Sequence, residues 1–285
     1  TGAKPVFVDV DSITGNIKWE LINSKLSKNT KGIIPVHMAG HPCHMNEIKK
    51  ICKRNDILLI EDCAHAIGTV YNNQHVGNFG KAGCFSFYPT KQITTGEGGV
   101  VISNDKKFIE KIKSLKAFGI DNPPNLREKP GIYDVKELGY NYRMTDFQAA
   151  LGVGQMKRYN KNLKKRKKNA KLYSSILKDN TKITFPKYNK NASYFLFQIV
   201  VSEIVDRDLV MLELIKNKIG VSIHYATSVP QMNYYKKKYG FRKKLFINAE
   251  NYGMKNISLP VHSKLERSDI EYVCSHLQKI LENVS

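Results

Sequence analysis

The chain has 285 residues, 41% hydrophobic and 25% charged, a composition that suits one or two globular domains and excludes a collagen-like or disordered protein. No apolar run approaches the ~20 residues of a membrane-spanning helix, and the opening residues do not read as a signal peptide. Lys and Arg number 46 against 25 Asp and Glu, a net charge of +21 whose field attracts anions.

The densest basic run, 157–171, lies outside any zinc-finger or RNA-binding signature and reads as a solvated helix face. Cys43, Cys52, Cys63, Cys84 and Cys274 are odd in number and lack a C-x-x-C pair, so reduced thiols in the cytoplasm are expected.

Residues 5–10 form a strand pattern with no turn or helix before it, so a preceding segment is expected. GIIPVH (32–37) is the next strand candidate, and Met45, Ile48 and Ile51 then share one face of a helix over 45–54. ILLIED (57–62) is a short apolar run ending in two acids. CFSFY (84–88) and GVVIS (99–103) follow as strands, with Phe108, Ile109, Ile112 and Leu115 at helical spacing behind them. Continuous apolar strands between helices predict an α/β fold with a mostly parallel sheet covered on both faces.

A loop over 120–139 holds Pro123, Pro124 and Pro130. Thr145 with Gln148 makes a capping box that opens a helix rich in alanine and glutamine. From Gly154 the character changes: a lysine-rich helix, a strand at 194–201 and a helix from Asp206 stopped by Gly220. VSIHY (221–225) is a further strand candidate, and Ser268 with Glu271 boxes a closing helix. This predicts a large domain over 1–153 and a smaller α+β domain over 154–285.

Ligands of open α/β sheets sit at the carboxyl ends of the strands. Asp62 closes one strand there, and Lys91 lies just beyond the end of CFSFY. If those strands are parallel neighbours, an acid and a lysine meet at one edge. The following turn, TTGEGG (94–99), lets the backbone fold tightly back. An acid–lysine pair alone is more often a structural ion pair.

The longer match decides more. EDCAHAIGTVYNNQHVGNFGKAGCFSFYPTKQITTGEGGVVISND resembles the central segment of the DegT/StrS family of pyridoxal-phosphate (PLP) sugar aminotransferases. VHMAGHPCHMNEI (36–48), ELGYNYRMTDFQAALGVGQM (137–156), GVSIHY and NISLPVH are similar to further landmarks of that family. The resemblance implies a fold-type-I PLP-dependent aminotransferase with a smaller C-terminal domain. Lys91 would hold PLP as a Schiff base, since only a primary amine bonds reversibly and then carries a proton. Asp62 would pair with the protonated pyridine nitrogen. His65 would contact the ring or its 3-oxygen, and Ser86 would bind the phosphate. Asn141 would reach the phosphate in the neighbouring subunit of a homodimer with shared sites, with Arg143 lining the same place. His224 is a substrate-side candidate and equally a structural histidine, as is His37. Cys63 and Cys84 flank the site but read as small buried hydrophobes.

The implied reaction moves an amino group, usually from glutamate, to a nucleotide-linked keto-sugar in polysaccharide or amino-sugar biosynthesis. No metal and no membrane insertion are implied. The family's dehydratase branch carries histidine in place of the Schiff-base lysine, so Lys91 argues against it. The family's first part, with a phosphate-binding Gly-Thr-Ala turn and a ring-stacking aromatic, is expected to precede Thr1. Two alternatives stand beside the enzyme: a nucleic-acid-binding or regulatory protein on the same fold, and an inactive fragment.

Overall fold

The computed structural model describes residues 2–120 and 129–284. Its central sheet has the order β1–β2–β5–β6, formed by Gly32–Ile33, Leu58–Asp62, Ala82–Ser86 and Gly99–Ile102. β1, β2 and β5 run parallel, while β6 returns antiparallel with Ser86 opposite Gly99. The sheet is therefore mixed but mostly parallel.

α1 (Met45–Arg54) lies against this sheet with Met45, Ile48, Ile51 and Cys52 buried, the face its apolar spacing predicts. These residues join Ile33, Leu59, Cys63, Ala66 and Phe85 in one core. A two-stranded ribbon, β3 (Val70–Tyr71) and β4 (Gln74–His75), sits between β2 and β5; its turn places Asn72 and Asn73 at positive φ, which asparagine tolerates. α2 (Lys106–Leu115) is capped by Asp105, whose side chain accepts the Phe108 amide.

The Thr145–Gln148 capping box is present, but the helix it opens does not break at Gly154. α3 runs unbroken from Asp146 to Leu177. Its first part lies on the β-sheet side, where the Tyr159 hydroxyl donates to the Ile67 carbonyl. Gly68 adopts φ +79°, and a Cβ there would lie 2.4 Å from the Tyr159 hydroxyl oxygen, so glycine permits this contact. The last turns of α3 bury Ala170, Tyr173 and Leu177 in a second core.

That second core is built on a three-stranded antiparallel sheet, β7 (Ile183–Thr184), β8 (Phe197–Val201) and β9 (Asn256–Leu259). α4 (Arg207–Lys216) and α7 (Arg267–Asn283) cover it with Val210, Leu214, Ile270, Val273 and Leu277. α5 (Asn233–Tyr239) and α6 (Ile247–Lys255) complete the second lobe.

Three local expectations need correction. Residues 5–10 form no strand; only Val10 bridges, to Ile17. Asp9 spends its carboxylate on the first amides of α6, accepting from Asn248 and Ala249 at 3.1 and 2.9 Å. Residues 221–225 likewise contribute only the bridge Ser222–Ser258, because the chain turns away to present His224 and Tyr225. α7 is boxed by Glu266 and Asp269, two residues earlier than Ser268 and Glu271 imply. Pro123 and Pro124 lie outside the described residues.

Candidate active site

The parallel pairing of β2 with β5 sets Asp62 opposite Cys84, so Asp62 and Ser86 end at the same sheet edge. From Ser86 the chain crosses to Lys91, whose amide donates to the Tyr88 carbonyl at 3.0 Å. The Thr95 amide then donates to the Phe87 carbonyl, and the Phe87 amide to that of Gly98. Gly98 has φ +149°, and a Cβ there would stand 2.5 Å from the Thr95 hydroxyl oxygen. The glycine turn is thus needed to hold Lys91 over the edge.

The two acids that end β2 face opposite ways, as strand alternation requires. Glu61 is fully buried. It accepts His37 Nε2 at 3.2 Å and the amides of Gly77, Phe79 and Gly80 at 2.7, 2.7 and 3.0 Å. Burial pushes its carboxyl up, but the hydrogen bonds from His37 and the loop amides outweigh it and hold the group below the usual range. His37 Nδ1 accepts the Cys43 amide, so His37 is committed to this buried network. Asp62 is half-buried on the other side; its Oδ1 accepts the Ala64 amide at 3.0 Å.

His65 lies one turn beyond, only 6% exposed, with its ring 4.4 Å from that of Phe195. Lys91 Nζ stands 4.8 Å from the centre of the same Phe195 ring. Burial lowers the Lys91 pKa, and Asp62 opposes that shift. Burial, then Lys91 and His224, push His65 down to about 3, so its imidazole is neutral. Tyr225 enters from the second lobe with its hydroxyl 3.4 Å from His65 Nε2. Burial raises its phenol pKa, and Asp62 adds to the shift.

Lys91, Asp62, His65 and Ser86 therefore converge on one sheet edge. The Ser86 oxygen accepts the Tyr88 amide at 3.2 Å, leaving its O–H to donate elsewhere. His224 is half-buried, its Nδ1 2.9 Å from the Ser258 hydroxyl and 3.3 Å from that of Ser222. Asn141 is exposed and bridges Ala117 through the backbone; no hydrogen bond holds its side chain among the described residues. The Arg143 guanidinium rests 5.1 Å from the Phe118 ring. Cys63 and Cys84 are free thiols whose pKa burial raises, consistent with inert packing.

Phe195, Tyr225 and Glu61 are the residues that the sequence motifs did not single out. The doubled acid in ILLIED was the available signal for Glu61, because alternation puts only one of two neighbours at the edge. Phe195 and Tyr225 come from the second lobe, and only tertiary packing brings them here.

The profile of the DegT/DnrJ/EryC1/StrS aminotransferase family matches residues 1–278. The chain belongs to this family. The Methanocaldococcus jannaschii protein MJ1066 is 38% identical over 98% of this chain and 74% of its own length. The Campylobacter jejuni UDP-4-amino-4,6-dideoxy-N-acetyl-beta-L-altrosamine transaminase is 34% identical, over 99% of this chain and 75% of the relative. The solved structure of Helicobacter pylori PseC, an aminotransferase of pseudoaminic acid biosynthesis, superposes with TM-score 0.91 at 30% identity, covering 99% of this chain and 75% of that one. The Streptococcus pneumoniae protein Spr1654, solved in PLP and PMP forms, gives TM-scores of 0.90 and 0.92 at 27% identity, over 100% of this chain and 76–77% of those. Among the described residues no helix is long and apolar enough to cross a membrane.

Proposed function

We propose that this chain carries the PLP site of a nucleotide-sugar aminotransferase that takes its amino group from glutamate. The observation that carries the reading is the convergence of Lys91 and Asp62 on one strand edge, with the face of Phe195 and the ring of His65 beside them. The family and the names of its relatives supply the substrate class: the relatives act on UDP-linked and GDP-linked sugars.

The residues present fit PLP. His65 Nδ1 is buried with no hydrogen-bond partner, and the Asp62 carboxylate keeps capacity for a second donor beside its bond to Ala64. Asp62 would hold the pyridinium N–H, His65 a ring oxygen, Ser86 the phosphate and Lys91 the aldehyde carbon. When bound, PLP supplies the electron sink for the carbanion formed at the amino-bearing carbon. The chain's own groups do the rest. Burial lowers the Lys91 pKa and so favours the neutral amine; Nζ would hold the cofactor's aldehyde carbon and would take and return a proton. Asp62, at the end of β2, would present its carboxylate to the pyridine nitrogen of bound PLP. The Phe195 side chain excludes water from one side of Lys91.

Asn141, Arg143 and the exposed apolar residues around them support a homodimer with shared sites. Leu138, Tyr142 and Phe147 are 86, 71 and 92% exposed, a cluster of apolar side chains that a second copy would cover. His224 stays a candidate for the substrate side through Nε2, since its Nδ1 is engaged by Ser258. The division near residue 153 is proposed as a lobe boundary bridged by α3 rather than cut by a loop.

Amino transfer from [15N]glutamate to a UDP-linked 4-keto-sugar, followed by mass spectrometry of the product, tests the reading. Incorporation of 15N that disappears in Lys91→Ala supports it; incorporation that survives in Lys91→Ala rejects it.

A further inference from the structure

We propose that Tyr225 is a positioning residue that fixes the tautomer of His65, leaving its Nδ1–H as a ready donor for an anionic oxygen of the bound ligand. The proposal rests on the PLP reading for the identity of that ligand, but its structural half concerns this chain alone.

A neutral imidazole carries one donor and one acceptor, and the partner of one nitrogen decides the state of the other. His65 is neutral in its buried setting. Its Nε2 has one partner, the Tyr225 hydroxyl at 3.4 Å, with the two rings inclined by only 26°. Its Nδ1 is buried and has none. A phenol is a stronger donor than an imidazole N–H, and an imidazole nitrogen is a stronger acceptor than a phenol oxygen. Tyr225 O–H therefore donates to Nε2, and the ring proton sits on Nδ1. Burial and the Asp62 carboxylate both disfavour the phenolate, so the hydroxyl keeps the proton that this role needs.

Tyr225 as a residue is 54% exposed, so its hydroxyl is placed by the backbone more than by packing. Gln198 Nε2 donates to the His224 carbonyl at 2.8 Å, and the His224 amide donates to Asn256 Oδ1 at 3.0 Å. Asn256 is fully buried and is itself held by its Nδ2 donating to the Tyr252 carbonyl at 2.7 Å. Gly253 completes the seat: a Cβ there would lie 2.7 Å from the Ala226 carbonyl oxygen and 3.0 Å from that of Tyr225. Both amide side chains and the glycine thus serve to deliver one hydroxyl from the second lobe to a histidine of the first.

A buried N–H without an acceptor is unfavourable, and a ligand that supplies one recovers that cost. The ligand class that fits Nδ1–H is an acceptor-only oxygen, such as the deprotonated 3-oxygen of PLP. The second lobe would in this way tune the grip of the first on its cofactor without touching it.

The test uses the whole chain labelled with [15N]histidine, with long-range proton–nitrogen correlation reading the ring nitrogens and His65→Gln assigning the His65 signals. The expected wild-type spectrum, without PLP, has a protonated Nδ1 and an unprotonated Nε2. In Tyr225→Phe, which keeps the ring and removes only the hydroxyl, the proton should move toward Nε2 and PLP affinity should fall several-fold. A wild-type His65 protonated at Nε2, or an unchanged tautomer in Tyr225→Phe, overturns the proposal. Wild-type protein that shows the Nδ1–H tautomer but binds no PLP would instead overturn the cofactor reading, while the tautomer result stands on its own spectrum.

Discussion

The edge of β2 and β5 and the stretch leading into α3 carry candidate site residues in opposite ways. At the edge, each functional side chain rests on a finished substructure: Glu61 is saturated with four hydrogen bonds, and Lys91 is carried on a glycine turn closed by backbone bonds. Leading into α3, Asn141 and Arg143 stand among exposed Leu138, Tyr142 and Phe147. The groups of the first region are held by partners within their own chain; those of the second have few such partners and would gain a role where another surface meets them. A residue's partners in its own chain thus separate groups that work alone from groups that work across a boundary.

The sharpest way to break this contrast is Lys91→Ala, expected to abolish amino transfer with an unchanged circular dichroism spectrum. The truncated side chain is half-exposed and supports no core. Retained turnover would remove the edge from the chemistry. Asp62→Asn should keep PLP bound yet lower kcat by at least about two orders of magnitude, the scale of losing one positioned electrostatic partner. Its neighbour behaves differently. Glu61→Gln should cost about 3 kcal/mol of stability in urea unfolding, because an amide cannot accept from all the donors aimed at that buried position. Equal effects on stability from Asp62→Asn and Glu61→Gln would contradict the assigned division of labour.

The second region is probed by mixing. Asn141→Ala should leave unfolding within about 0.5 kcal/mol of wild type, as for other exposed positions. It should weaken PLP retention. Combined with Lys91→Ala subunits it should recover up to half of the wild-type activity per dimer, because one site then has both an intact Lys91 and its partner's intact Asn141. No recovery would place Asn141 in its own chain's site.

A further effect concerns pH. His65 and His41 have pKa values pushed by burial to about 3 and about 4, below the ordinary 6.5. The unfolded chain then binds more protons than the folded one, so stability falls as pH drops from about 6.5 toward 4. His65→Gln should flatten that slope by about 1.4 kcal/mol per pH unit, one proton's share. An unchanged slope would mean that His65 titrates normally.

How much of this was legible in the sequence follows the same contrast. The strands ending at Asp62 and Ser86, the Thr145 cap and the apolar face of α1 are local signals, and they stand close to where the pattern put them. The resemblance of the motif run from Glu61 onward carried the family. What escaped is contributed from afar. Phe195 and Tyr225 reach the site only because the second lobe folds back onto the first, with the Ser193 amide donating to the Gly40 carbonyl and Gln92 Nε2 to the Ser193 carbonyl. Residues 5–10 have strand composition but lack a neighbouring strand to pair with, so Asp9 caps α6 instead. The unbroken α3 escaped because Gly152 and Gly154, which lower helix propensity by about 1 kcal/mol each, are carried by a long flanking helix.

The central claim is that Lys91 is the lysine that bonds to the cofactor. Incubation with PLP, borohydride reduction and peptide mapping by mass spectrometry measures it directly. A phosphopyridoxyl mass on Lys91, lost in Lys91→Ala, is expected. A stoichiometric label on another lysine, with Lys91 unmodified, would contradict it.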